Sequence, residues 1–228
     1  MRIVFLLVLA SSAATAQSSD VATLERKGDF ATLSVNSLRP LDAIATTLES
    51  QFGIAVGAED PVSQSSSVRP VIPAPARWGF EVQFPLTPDG KPRDVGRLLE
   101  SIVTAAKAHS EFAYRLDEDN GIFSFVPTRT RDAEGRSVAL TPLLDQPITI
   151  LPGIRKIHET AALMAKDLSK QTGLHVSCCQ SSVAGVLWGM AEMPFSAGGE
   201  PARVVLRRLG LNHWHMRCDA TFCFIEKR

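Results

Sequence analysis

The sequence predicts an α+β protein made of two tandem copies of a small βαββαββ module. Each module should carry two helices packed on short antiparallel and mixed strands. Three recurrences predict this: a helix-to-strand junction, a proline-framed block and a closing hairpin. The junction is Leu48 to Val56, LESQFGIAV, matched by Leu168 to Val176, LSKQTGLHV. In both, an amphipathic run ends in Gln-x-Gly and passes straight into a β-type run. Gly53 and Gly173 stand where a helix stops and a left-handed backbone is often needed. The framed blocks are PLTPDGKP, Pro85 to Pro92, and PFSAGGEP, Pro194 to Pro201. They follow the Trp-Gly pairs Trp78-Gly79 and Trp188-Gly189. Self-similarity of this kind marks a duplicated structural unit.

Taken in chain order, residues 1–16 read as a signal peptide and 17–29 as an N-terminal extension. Met1-Arg2 supplies a positive start, Ile3 to Ala10 is apolar, and Ala14-Thr15-Ala16 makes a small-residue cleavage site. The apolar run falls short of the roughly 20 residues that span a bilayer as a helix. The first module covers 30–127. It opens with a strand over Phe30 to Val35, followed by a helix from about Pro40 to Gln51. After the strand at Gly53 comes a loop, Pro61 to Arg77, whose Pro70, Pro73 and Pro75 favour an extended path that partners can read. Val95, Leu98, Leu99, Ile102, Val103 and Ala106 recur at three- and four-residue steps, which makes one apolar helix face. A hairpin closes the module: Phe112, Tyr114 and Leu116 alternate, Asn120-Gly121 turns, and Phe123 and Phe125 return.

A polar connector follows, within 128–142, and the second module covers 143–228. It opens near Ile148 to Leu151 and has a helix from about Glu159 to Gln171. Val204, Val205 and Leu209 mark a shorter second helix. In its hairpin Trp214, Met216 and Cys218 alternate, a turn falls near Ala220-Thr221, and Cys223 and Ile225 return. Pro92 and Pro201 suit the first turn of a helix, where a missing N–H costs nothing.

Composition sets limits on function. Cleavage after Ala16 leaves 212 residues, with 23 basic against 24 acidic side chains. That balance offers no electrostatic footprint for nucleic acid or anionic membrane. The four cysteines, Cys178, Cys179, Cys218 and Cys223, all lie in the second half. In the periplasm, or after secretion, an even number favours disulfides, with three complete pairings possible. Cys218 and Cys223 would face each other across the hairpin. Cys178 and Cys179 would point to opposite faces of a continuing strand.

No catalytic residue, metal-ligand set or cofactor is assigned, and the chain is read as non-enzymatic. The competing reading is an envelope metal-binding protein or enzyme using His213, His215 and the nearby cysteines. His213 and His215 share a strand face, but no spacing ties His109, His158 or His175 to them. The pair is expected on the solvent side of the hairpin, opposite Trp214, Met216 and Cys218. Ser196 and Ser181-Ser182 lie outside any G-x-S-x-G elbow. Gly198-Gly199 and its counterpart Asp89-Gly90 are read as turns. Asp117, Glu118 and Asp119 lack EF-hand spacing and are read as a solvated turn.

The stretch Leu33 to Val56, LSVNSLRPLDAIATTLESQFGIAV, followed by Lys91 to Leu99 and the closing hairpin, resembles the short N-terminal domain of secretins and TonB-dependent receptors. Pro40-Leu41-Asp42-Ala43-Ile44 holds the position of the family's first helix, and Gly53-Ile54-Ala55-Val56 that of its strand entry. Thr172-Gly173-Leu174-His175-Val176 repeats the strand entry. Glu159-Thr160-Ala161-Ala162-Leu163 begins the matching helix without the proline. The resemblance implies a periplasmic domain that docks other cell-envelope proteins: a signalling partner in receptors, inner-membrane machinery or substrates in secretins. No barrel or channel segment follows before Arg228, so transport by this chain alone is not expected.

Overall fold

The computed structural model describes residues 22–62, 77–109, 112–131, 136–178, 189–211, 214–219 and 222–227. Among these the protein is mixed α/β, with four helices and several sheets. The expected signal peptide, residues 63–76 of the proline-bearing loop, Trp188, Cys179, Ser181-Ser182, His213 and the Ala220-Thr221 turn lie outside the described residues.

Strands β1 (Thr23–Lys27), β2 (Phe30–Ser37) and β4 (Trp78–Pro85) form an antiparallel sheet in the order β1-β2-β4. β2 alternates as expected, with Ala31, Leu33, Val35 and Ser37 buried. β1 is a difference from the sequence reading, which left 17–29 as an extension. Its TLERK run is almost wholly exposed, so no apolar alternation announces it.

Helix α1 (Pro40–Phe52) starts on proline and ends at Gly53, whose φ of 66° lets its own N–H reach the Glu49 carbonyl and the Ile54 N–H reach that of Leu48. Helix α2 (Val95–His109) buries Leu98, Leu99, Ile102 and Ala106. Removing each of its large apolar side chains from water contributes about 1.5–3 kcal/mol. Between them lie β3 (Val56–Glu59) and β4. After α2, β5 (Tyr114–Asp119) and β6 (Ile122–Pro127) pair antiparallel, while β3 lies parallel to β6. Asn120 and Gly121 both have positive φ, 53° and 77°, as a two-residue hairpin turn demands.

The connector holds a small antiparallel pair, β7 (Arg129–Arg131) with β8 (Ser137–Ala139), and then a 3-10 turn at Leu143–Asp145. In the second half, β9 (Pro147–Lys156) leads into α3 (Ile157–Thr172), which ends at Gly173 with φ 73°. β10 (His175–Cys178), β11 (Glu192–Pro201) and α4 (Ala202–Arg208) follow, then the β12 (Trp214–Asp219) and β13 (Phe222–Lys227) hairpin. β9 pairs antiparallel with β11, and β10 parallel with β13.

The two proline-framed blocks diverge. Thr87 to Gly90 is a turn closed by a Leu86–Pro92 bridge. Pro194 to Pro201, expected to turn at Gly198-Gly199, instead runs inside β11. There the excess backbone is absorbed by register shifts beside Phe195 and Gly198, with Gly199 at φ 87°.

Burial falls into two clusters. One gathers residues between Ala22 and Phe125, the other those between Leu143 and Ile225 together with Val62. A six-stranded sheet, β10-β13-β12-β3-β6-β5, joins the two halves through a parallel contact of β12 with β3.

Candidate functional site

The β3–β12 seam is where the structure concentrates its charge. The ladder itself is short: His215 lies opposite Ala58, Met216 opposite Glu59, and the Asp60 N–H donates to the Met216 carbonyl at 2.9 Å. Side chains extend it. The Asp60 carboxylate accepts the Cys218 N–H at 2.9 Å and the Arg39 Nε–H at 2.8 Å. Arg39 Nη2 donates to the Cys218 carbonyl at 3.2 Å.

On one side of the sheet Arg217 donates to the Asp42 carboxylate of α1 through Nε, at 3.1 Å, and Nη2, at 2.8 Å. His215 Nδ1 contacts the same carboxylate. On the other side α4 reaches across. Arg203 forks onto Glu59 with two 3.0 Å bonds and also pairs with Asp145. Arg207 donates to Asp117 at 2.7 Å and Asp119 at 3.1 Å, and lies over the Trp214 ring. Arg115 closes the network on Asp145 at 3.0 Å.

Burial makes this expensive, so the partners must be present. The Glu59 side chain has no exposed surface and that of Arg203 has 4%. Burial pushes the Glu59 and Asp60 carboxyls above their ordinary values, against the pull of Arg203 and Arg39 respectively. The sign of the linkage follows. A carboxyl raised in the fold contributes stability that is full below its ordinary pKa, 4.5 for Glu59 and 3.8 for Asp60, and that is lost as pH rises through the raised value. Wild type is therefore expected to lose stability relative to Glu59→Gln as pH rises above 4.5. Denaturant titrations of both proteins across that range check it; a wild-type stability that stays level or rises with pH relative to the variant refutes it.

The residues singled out by sequence are distributed as follows. Cys218 and Cys223 are directly opposed in the hairpin and form a disulfide, with Cα atoms 4.1 Å apart. Cys178 is also disulfide-bonded. Trp214, Met216 and Cys218 face the second core, as read. His215 is a correction. It was expected on the solvent side, yet it is 2% exposed because α1 brings Asp42 over that face. His158 Nδ1 lies 2.8 Å from the Gly189 carbonyl, and His175 stacks on Phe222. Asp117 and Asp119, read as a solvated turn, instead hold Arg207. Among the described residues no group of three or more His, Cys, Asp or Glu is arranged to hold a metal ion.

Sequence reasoning passed over Arg39, Asp42, Glu59, Asp60, Asp145, Arg203 and Arg207. The nearest signal is Glu59-Asp60 at a strand end, and nothing local points it towards an arginine 144 residues away.

Strand edges differ in how they are finished. Along β9, Asp167 accepts the Thr149 N–H at 3.2 Å, Glu159 accepts the Lys156 N–H at 3.1 Å, and Gln171 donates to the Pro147 carbonyl at 2.8 Å. On β10, Ser169 Oγ accepts the Val176 N–H at 2.9 Å. All four side chains belong to α3, which closes these edges to a further strand. Among the described residues no side chain bonds the backbone of β5 or the outer side of β1.

Compared with known proteins, the chain matches no family model, no curated protein and no solved structure. No described helix is long and apolar enough to cross a membrane.

Proposed function

We propose that the chain is an exported, non-enzymatic interaction protein of two βαββαββ modules. These resemble the short N-terminal domain of secretins and TonB-dependent receptors, and they dock other cell-envelope proteins. The observation that carries the two-module reading is repeated connectivity. β2 pairs with β4 as β9 does with β11, β3 lies parallel to β6 as β10 does to β13, and each half ends in a hairpin. Docking by strand addition suits β5 and β1, whose backbones no side chain bonds on the outer side among the described residues, better than β9 or β10, which α3 closes. The Cys218–Cys223 bond fits an oxidising compartment such as the periplasm.

The test is crosslinking in intact native cells at native expression, followed by copurification and mass spectrometry. Reproducible capture of a receptor, secretin or inner-membrane component, lost when Leu116→Pro disrupts the β5 edge, is the expected result. Capture of nothing above a control exported protein overturns the reading.

A further inference from the structure

We propose that the Cys218–Cys223 disulfide is a redox-set clasp on the seam between the halves, whose reduction frees the Cys218 end of β12 from Asp60 and Arg39 while both cores stay folded. The inference stands on the seam and does not depend on the docking partner.

Cys218 is held from two sides. On one side the Sγ–Sγ bond ties it to Cys223 of β13. On the other, its N–H and C=O are the groups that Asp60 and Arg39 grasp. The backbone ladder covers only two residue pairs, and the Asp42 contacts of His215 and Arg217 and the Trp214 ring beside Gly57 hold its middle and start. Beyond Arg217 only the bonds at Cys218 are described, so that end of β12 depends on them. Strand ends fray first unless tied down, and β12 stops one residue beyond Cys218. The disulfide therefore keeps the N–H and C=O of Cys218 aimed at Asp60 and Arg39.

The chemical step is thiol–disulfide exchange with a dithiol. The Cys218–Cys223 bond breaks, two electrons pass to the protein, and each sulfur takes up a proton as a free thiol. The dithiol leaves as its own disulfide. Both cysteines are buried, so exchange requires a local opening, and any opening that frees the Cys218 end and its reduction favour each other.

The full chain is tested by hydrogen exchange at the amides of Asp60 and Cys218, which bond across the seam. In Cys218→Ala/Cys223→Ala these two amides are expected to lose protection by about tenfold or more, while those inside α2 and β4 hold. Unchanged protection at the seam, or equal loss throughout both halves, overturns the proposal. Should the double variant fail to fold, the reciprocal measurement decides with the disulfide present. Asp60→Ala is expected to speed reduction of the Cys218–Cys223 bond by dithiothreitol several-fold, read peptide by peptide after alkylation so that the Cys178 bond is counted separately. Equal rates in Asp60→Ala and wild type overturn it.

Discussion

Arg203→Ala is expected to lower stability by about 3–5 kcal/mol, the cost of leaving a buried charge without its partner. Arg203 reaches from α4 across the six-stranded sheet and makes two 3.0 Å bonds to Glu59, whose side chain is wholly buried. Alanine removes both bonds and the pairing with Asp145. Because burial already raises the Glu59 carboxyl, losing the guanidinium raises it further. The loss should therefore be larger at pH 8 than at pH 5, because a raised carboxyl keeps its proton further up the pH scale and a protonated group leaves no charge to strand. The paired replacement Arg203→Met with Glu59→Met separates charge from packing. It is expected to recover most of the loss, since apolar groups of similar size need no partner and Arg115 still serves Asp145. Chemical denaturation of the three proteins at both pH values measures this. A double variant as unstable as Arg203→Ala would place the cost in packing.

Gly79→Ala is expected to cost about 3 kcal/mol, the upper range for forcing atoms into a filled site. Gly79 lies opposite Asn36 in the β2–β4 ladder, and an added Cβ would sit 2.1 Å from the Val35 carbonyl oxygen. That neighbour is backbone in a strand paired on both sides, so it cannot rotate away. Gly198→Ala is the control: its added Cβ meets nothing within 4 Å and its φ is not positive, so thermal melting should barely change. A melting temperature for Gly79→Ala equal to that of Gly198→Ala would show that β2 and β4 can part without cost.

Much of the local structure was legible because local signals are short-ranged. The α1 and α3 ends follow from Gly53 and Gly173, and the β5–β6 turn from Asn120-Gly121, where only the residues themselves decide the backbone angle. The α2 face was visible as a 3.6-residue period, and the Cys218–Cys223 pairing as a two-residue alternation across a turn. Where the signal was misleading, a neighbour distant in sequence had the larger effect. Pro194 to Pro201 looks like its turning counterpart, yet pairing with β9 draws it into a strand. Exposed TLERK carries no apolar pattern, yet β2 offers it an edge to pair with.

The sequence by itself thus determined the helix ends at Gly53 and Gly173, the Asn120-Gly121 turn and the directly opposed cysteines. Each of these depends on residues within one helical turn or one hairpin. Only the tertiary structure decided the seam, because a charge on one strand has no preferred partner until the chain brings one within bonding distance. Glu59 and Arg203, Asp42 and Arg217, and Asp117 and Arg207 each read alone as ordinary surface charges. The β12–β3 contact places them together, and for Glu59 and Arg203 burial then makes the partner necessary.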